Sequence, residues 1–122
     1  MEHLVKVYIA AKYARRFELR ALAAALKAHG VEITARWLDN GEEEAAGPAE
    51  AGQMDVDDVA RADALVFIGE PHGSKNTGGG RWFELGLAYA YGKRCLVLLA
   101  PQPEERVAAM GGTEADHESV FT

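Results

Sequence analysis

Four short apolar runs, separated by polar or helical stretches, constrain the fold of this chain more than any other feature. They cover about residues 4–10, 31–37, 64–69 and 94–99. The first, third and fourth runs are almost wholly apolar, as is typical of parallel strands that are buried on both faces. The second run alternates polar and apolar residues, which predicts a strand that is more exposed than the others.

Helical patterns occupy the stretches between these runs. Leu19, Leu22 and Leu26 recur at helical spacing in an alanine-rich background, and Gly30 then provides a stop signal. The three predicted helices span about residues 15–29, 55–62 and 81–91. The alternation of strands and helices predicts a doubly wound α/β fold. In such a fold, a mainly parallel sheet of four or five strands is covered by helices on both faces.

The length and charge of the chain limit its organisation and its partners. Its 122 residues are enough for one hydrophobic core and too few for two, so residues 1–122 are predicted to form a single domain. The formal net charge of -6 disfavours a nucleic-acid polymer as partner, because a duplex binder needs a basic face to displace counterions. A small anionic ligand stays compatible with this charge, because one local pocket can be basic on an acidic surface.

Nothing in the sequence indicates a membrane segment, a metal site or a bound cofactor. No apolar run approaches the roughly 20 residues of a membrane span, and the amino terminus lacks a signal pattern, so a cytoplasmic protein is expected. The single cysteine, Cys95, is interpreted as a buried core thiol that forms no disulfide. The four histidines lack ligand spacing, and neither a Gly-x-Gly-x-x-Gly nor a Walker-type motif is present.

Three segments are expected to meet at one edge of the sheet. Crossovers between parallel strands are right-handed, so the carboxyl ends of the strands gather at that edge, where ligands bind in such folds. Residues 11–16, the glycine-rich loop over residues 70–80 and the first turn of the third helix all reach it. Another loop, over residues 39–53, is acidic, and its run 42–44 is interpreted as solvated rather than metal-binding.

Glu84 is the most informative single residue, because it is a carboxylate on an otherwise apolar helix that follows a glycine loop. The amide dipoles of a first helical turn favour an ionised carboxylate there. A glutamate that folds back to cap the helix start would explain it without any chemistry. The small residues over 77–80, however, would let a ligand approach the backbone closely. The residues alone leave both interpretations open.

Two further residues near this edge have a structural and a chemical interpretation. Asp55 precedes the second predicted helix, where it could cap the helix amino terminus. Tyr8 lies on the first strand, and its hydroxyl needs a partner if the ring fills the core. The hydroxyl could instead orient a carboxylate or a substrate oxygen. Three other acidic residues are predicted to be surface or capping groups: Asp57, Asp58 and Asp63.

A basic cluster and two flat side chains complete the candidate residues. Lys12, Arg15 and Arg16 surround the start of the first helix, whose backbone amides could add to an anion site. Trp37 and His72 lie near loops, where either could stack on a base, although packing is the expected role of Trp37. No Gly-x-Ser-x-Gly elbow for a nucleophilic serine is present.

Three separated segments share their order and spacing with a known family. They are residues 6–10, 55–66 and 79–88, the last followed by Gly92 and Lys93. Together they resemble the nucleoside 2-deoxyribosyltransferase family, which includes 2'-deoxynucleoside 5'-phosphate N-hydrolases. The resemblance implies a flavodoxin-like doubly wound sheet and cleavage of the N-glycosidic bond between a base and deoxyribose.

The resemblance also implies roles for individual residues. By position, Glu84 resembles the family nucleophile, Asp55 the carboxylate that assists at sugar and base, and Tyr8 the hydroxyl that positions the nucleophile. The chain departs from some transferases at Gly78, where they have a further acidic residue, so base protonation would need another group or water. The candidates for contacting substrate are Ala10, Lys12, Arg15, Arg16, Trp37, Gly79, Gly80 and Arg81.

The expected function is therefore that of an enzyme which moves a (deoxy)ribosyl group between bases through a covalent glycosyl-Glu84 intermediate. Two alternatives stay open: hydrolysis of 2'-deoxynucleoside 5'-monophosphates, with the basic cluster on the phosphate, and a nucleotide-binding module without catalysis. The expected partner is a small nucleoside or nucleoside monophosphate, with no nucleic-acid polymer, membrane, cofactor or metal. The aromatic residues Trp82, Tyr89 and Tyr91 favour a homodimer or higher homo-oligomer.

Overall fold

The chain folds as alternating strands and helices around one parallel sheet. The computed structural model describes residues 4–39, 46–70 and 79–99. Its strands are β1 (Lys6–Ala10), β2 (Glu32–Ile33), β3 (Ala64–Ile68) and β4 (Arg94–Leu98). Its helices are α1 (Arg16–Ala28), α2 (Pro48–Arg61) and α3 (Gly80–Ala90), with short 3-10 helices at Tyr13–Arg15 and Arg36–Asp39. The predicted α/β fold class is confirmed.

The strand order is β2-β1-β3-β4, and every pairing between neighbours is parallel. The chain steps outward in one direction from β1 to β2 and in the other direction from β3 to β4. In register, Ala10 of β1 pairs with Phe67 of β3, and Ile68 of β3 pairs with Leu98 of β4. The sheet therefore reverses its winding between β1 and β3, and ligands bind at such a point in doubly wound folds.

Burial is deepest in β1, whose residues from Val7 to Ala10 are all buried. Both faces of this strand are therefore covered, as its continuous apolar run predicts. In β3 only Leu65 and Phe67 are buried, and the edge strand β4 is half-exposed. Cys95 on β4 is accordingly half-buried, so the prediction of a fully buried core thiol is wrong.

Helix α1 ends where its sequence predicts. Gly30 has φ +86° and donates its backbone amide to the carbonyl of Lys27, while the amide of Val31 donates to Leu26. These two bonds satisfy carbonyls that the end of the helix would otherwise leave without hydrogen-bond donors. A glycine adopts the left-handed backbone conformation that ends the helix without steric cost. Gly92 follows α3 with φ +74°.

Helix α2 begins earlier than the sequence suggests, at Pro48 rather than near Asp55. Proline suits the first turn of a helix because its missing amide has no intrahelical partner there. The predicted loop over residues 39–53 is therefore helical in its second half. Asp55 lies inside α2, so its interpretation as a helix N-cap is wrong.

The second strand is shorter than predicted, because only Glu32–Ile33 forms the ladder with β1. The amide of Thr34 still donates to Val7 at 2.9 Å, and the chain then turns into the 3-10 helix. There the indole nitrogen of Trp37 donates to the carbonyl of Ile9 at 2.9 Å, so a side chain contacts β1 in place of a continued strand.

Several predictions lie outside the described residues, including those for the acidic run 42–44, His72 and Gly78. Within the described ranges, none of the helices combines the length and apolar character needed to cross a membrane.

Candidate active site

Glu84 lies in the first half of α3 and is only 7% exposed. The helix begins at Gly80, so its third position is Trp82 and Glu84 is two residues further along. A glutamate that caps a helix by folding back occupies that third position. The placement of Glu84 therefore does not match a capping box, and the carboxylate needs another explanation.

Tyr8 contacts Glu84 directly. It lies on β1 with no exposed surface, and its hydroxyl donates a hydrogen bond to Oε2 of Glu84. Burial raises the pKa of the Tyr8 phenol far above its ordinary value, and the negative charge of Glu84 raises it further. Both effects disfavour a tyrosinate, so Tyr8 stays protonated and acts as a donor. The structure thus brings together the two residues that the sequence pairs only through the resemblance.

Asp55 lies on α2. It is half-buried, and its charge is a further cause of the raised pKa of Tyr8. Since Coulomb interactions weaken with distance, the carboxylate of Asp55 lies within electrostatic range of the phenol. Tyr8 and Glu84 are therefore in direct contact, and the charge of Asp55 acts on the same phenol.

Two of the three residues of the predicted anion cluster, Arg15 and Arg16, are already engaged by groups of the protein itself. Nε of Arg15 bonds Glu18 at 2.7 Å, and its Nη1 lies 3.2 Å from the carbonyl of Gly69 and 3.5 Å from Glu70. The Arg16 guanidinium lies 4.2 Å from the Tyr13 ring centroid. Two carboxylates thus offset the charge of Arg15.

The other predicted substrate contacts differ in accessibility. Trp37 is 4% exposed, and its bond to Ile9 fits the packing role rather than a free stacking surface. Ala10 is fully buried, and Arg81 is buried with its guanidinium carbon 5.7 Å from the Trp82 ring centroid. Gly79 and Gly80 are exposed, and no described atom lies within 4 Å of a Cβ built on either.

One residue near the site was missed by sequence reasoning. Asp58 was predicted to be a surface or capping group, yet it has no exposed surface and forms ion pairs with Arg36 at 2.8 Å and Arg61 at 2.9 Å. Helical spacing was the available signal, because residues 55, 58 and 61 recur every third position and share one face of α2. The prediction for Asp58 is wrong because a buried carboxylate is tolerated when cations and amides surround it.

Fold and site together define a doubly wound α/β protein with a buried tyrosine–glutamate pair at the point where the sheet reverses. The family model described as nucleoside 2-deoxyribosyltransferase matches residues 7–116. The chain therefore belongs to the nucleoside 2-deoxyribosyltransferase family. Membership supports an enzyme of the deoxyribosyltransferase or N-glycosidase type that acts on nucleosides or nucleotides.

Two solved structures share the flavodoxin-like fold. A 2-desoxiribosyltransferase from Leishmania mexicana is 24% identical, with a TM-score of 0.67, and the match covers 96% of this chain and 80% of that one. The CMP N-glycosidase BcmB from Clostridium botulinum is 19% identical, with a TM-score of 0.59, covering 92% of this chain and 93% of that one. No functionally curated sequence gives a match. At these identities the structural likeness establishes the fold alone.

Proposed function

We propose that the protein cleaves the N-glycosidic bond of a 2'-deoxynucleoside and transfers the sugar to a second base, with Glu84 as nucleophile. The observation that carries this proposal is the buried hydrogen bond from Tyr8 to Glu84. A carboxylate that accepts a hydrogen bond from a neutral, buried phenol suits attack on a sugar carbon better than it suits a role in helix capping.

The reaction would proceed by double displacement with retention, as in retaining glycosidases. A carboxylate oxygen of Glu84 attacks the anomeric carbon while the bond to the base nitrogen breaks and its electron pair leaves with the base. The product is a glycosyl ester on Glu84. A nitrogen of the second base then attacks the same carbon, and the carboxylate is released.

Tyr8 would serve both halves of this reaction. Its hydroxyl fixes one oxygen of Glu84 before attack, and it stabilises the negative charge that returns to the carboxylate when the ester breaks. A donor aimed at developing charge contributes most when it is already in place and shielded from water. The raised pKa of Tyr8 keeps the proton on the phenol throughout.

Asp55 would act on the substrate rather than on the nucleophile. A carboxylate beside the sugar can accept a hydrogen bond from a hydroxyl, and a carboxylic acid can protonate the departing base. The charge of Asp55 raises the pKa of Tyr8, which supports giving Asp55 this role in the scheme.

Hydrolysis of a 2'-deoxynucleoside 5'-monophosphate is the second candidate, favoured by the basic residues at the carboxyl edge. A phosphate there would have to compete with Glu18 and Glu70 for Arg15. Because of that competition, we rank transfer between free nucleosides above hydrolysis of monophosphates. A non-catalytic binding module is the third candidate, and the position of Glu84 beyond a capping box argues against it.

Base exchange separates the three candidates. The protein is incubated with deoxyinosine plus adenine, and separately with each 2'-deoxynucleoside 5'-monophosphate, and products are resolved by chromatography. Formation of deoxyadenosine supports transfer, whereas free base from the monophosphates alone supports hydrolysis. Ligand binding without any product supports the binding module. Glu84→Ala serves as the control, and turnover that survives this change would rule out the nucleophile in every scheme.

A further inference from the structure

The turn of α2 that carries Asp55 is held from both ends by one side chain of the preceding 3-10 helix. Nε of Arg36 donates to Oδ1 of Asp58 at 2.8 Å, and its Nη2 lies 3.4 Å from the carbonyl oxygen of Met54. Met54 immediately precedes Asp55, and Asp58 follows it by three residues. The guanidinium of Arg36 thus spans the single helical turn on which Asp55 lies.

Asp58 anchors this arrangement in the interior. Its Oδ2 accepts the backbone amide of Arg36 at 2.9 Å, and its Oδ1 also accepts a bond from Arg61 at 2.9 Å. The backbone carbonyl of Asp58 accepts the hydroxyl of buried Thr34 at 2.9 Å. Removing one partner from a buried, charged network leaves a group unpaired, which is costly. The contacts therefore fix α2 against residues 34–36.

Stability alone does not account for a buried carboxylate at this point. A well-packed apolar side chain of similar volume commonly gives equal or greater stability than a buried ion pair. The charge of Asp58 also reaches the site, since it is among the causes that raise the pKa of Tyr8. The network therefore connects the acidic site to an exposed arginine through one helical turn.

We propose that Arg36 and Asp58 are positioning residues that hold Asp55 in place for its role at the sugar and base. The inference rests on the proposed function, because it gives Asp55 a task there. Arg36 does not touch substrate in this scheme, and it acts only through the turn that carries Asp55. A guanidinium suits this position because its fork reaches two acceptors at once, which a lysine ammonium on one stem does not.

Arg61 offers a matched control. Arg36 and Arg61 are both partly exposed, and both bond Oδ1 of Asp58, but only Arg36 also reaches the carbonyl beside Asp55. Arg61 reaches the carbonyl of Thr34 instead, at 3.4 Å. Arg36→Gln and Arg61→Gln therefore remove the same charge from Asp58, and only the first releases the turn of Asp55.

The test compares kcat, KM and thermal unfolding of Arg36→Gln, Arg36→Lys and Arg61→Gln with the wild type. Arg36→Gln is expected to lower kcat about 10- to 100-fold, as a small misplacement of a reacting group does. KM is expected to change little, and Arg36→Lys to recover part of the loss. Arg61→Gln is expected to keep kcat while losing similar stability. Equal kcat in the two glutamine variants would overturn the proposal.

A second readout needs no turnover. Amide hydrogen exchange at residues 54–58 is expected to accelerate in Arg36→Gln and not in Arg61→Gln. Equal exchange in both variants would show that Arg36 does not hold the turn of Asp55, even if the enzyme proved inactive toward every substrate. If the wild type shows no turnover but exchange at residues 54–58 accelerates only in Arg36→Gln, the proposed function is contradicted. The role of Arg36 in holding the turn of Asp55 is then still supported.

Discussion

At the scale of single residues, the behaviour of the site follows from a neutral phenol buried against a carboxylate. Tyr8 has no exposed surface, so its ionisation would place a second negative charge beside Glu84 without solvent. The protein avoids this by keeping the proton on Tyr8. Tyr8 is therefore a fixed donor that orients the carboxylate of Glu84.

Replacement of Tyr8 by phenylalanine is expected to slow turnover strongly without unfolding the protein. Tyr8→Phe removes only the hydroxyl, and loss of one preorganised donor commonly costs roughly 100-fold in kcat. The measurement is steady-state base exchange with thermal unfolding in parallel. Tyr91→Phe, on an exposed tyrosine after α3, is the control and should keep the wild-type rate. An unchanged kcat in Tyr8→Phe would remove the hydroxyl from the mechanism.

The raised pKa of Tyr8 also predicts how stability depends on pH. An unfolded tyrosine loses its proton near an ordinary pKa of about 10, whereas folded Tyr8 keeps it to higher pH. The folded state therefore binds more protons above pH 10. The contribution of Tyr8 to the free energy of unfolding is fully present below that pH. It is lost as the pH rises further, by at most about 1.4 kcal/mol per pH unit.

Urea unfolding from about pH 8 to pH 11 measures this dependence of stability on pH. The upper limit is about one unit above the ordinary tyrosine pKa. The free energy of unfolding should fall more steeply above pH 10 in the wild type than in Tyr8→Phe. Parallel curves for the two proteins would mean that Tyr8 ionises in the folded state as freely as in the unfolded one.

At the scale of elements, the sequence predicted best where burial alone determines the structure. The run that forms β1 is continuous and apolar, and a strand covered on both faces needs nothing more. The apolar runs of β3 and β4 also form strands, although β4 is half-exposed at the edge of the sheet. The alternation over residues 31–37 was misleading, because the bond from Trp37 to Ile9 depends on a partner distant in sequence. The early start of α2 was hidden by its polar, glycine-containing first turns.

In the candidate site, too, local motifs were informative and pairings between distant residues were missed. Glu84, Tyr8 and Asp55 were identified from motifs, and the structure joins the first two by a hydrogen bond. Asp58 was missed because its burial depends on Arg36, which lies 22 residues away on another element. Pairings of this kind are not visible in local patterns.

Two glycines on different elements should respond to alanine in opposite directions. Gly30→Ala places a side chain at φ +86°, which costs about 1–2 kcal/mol. Gly52→Ala lies within α2, where no described atom is within 4 Å of the new Cβ, and should stabilise by roughly 0.5–1 kcal/mol. Urea unfolding of both variants is the measurement. Destabilisation by Gly52→Ala would mean that its surroundings are more crowded than described.

At the scale of the whole molecule, several aromatic residues on and after α3 are exposed to solvent. Trp82, Tyr89 and Tyr91 are 46%, 65% and 50% exposed. Large exposed apolar groups close together commonly mark a contact between proteins. The homodimer inferred from the sequence stays a prediction, and this surface is where we expect its interface.

Light scattering after size exclusion is expected to give the mass of a dimer for the wild type. Tyr89→Glu should shift the protein toward the monomer, because a twofold interface would bring two like charges together. Ala24→Glu, on an exposed position of α1, should leave the mass unchanged. A wild-type monomer at every concentration would exclude this interface.

Trapping of the intermediate tests the central claim about Glu84 most directly. The protein is mixed with a 2'-deoxynucleoside in the absence of an acceptor base, quenched in acid and measured by intact mass spectrometry with peptide mapping. A mass increase of one deoxyribosyl group is expected on the peptide containing Glu84, with no increase in Glu84→Gln. An adduct on another residue, or turnover by Glu84→Gln at the wild-type rate, would show that Glu84 is not the nucleophile.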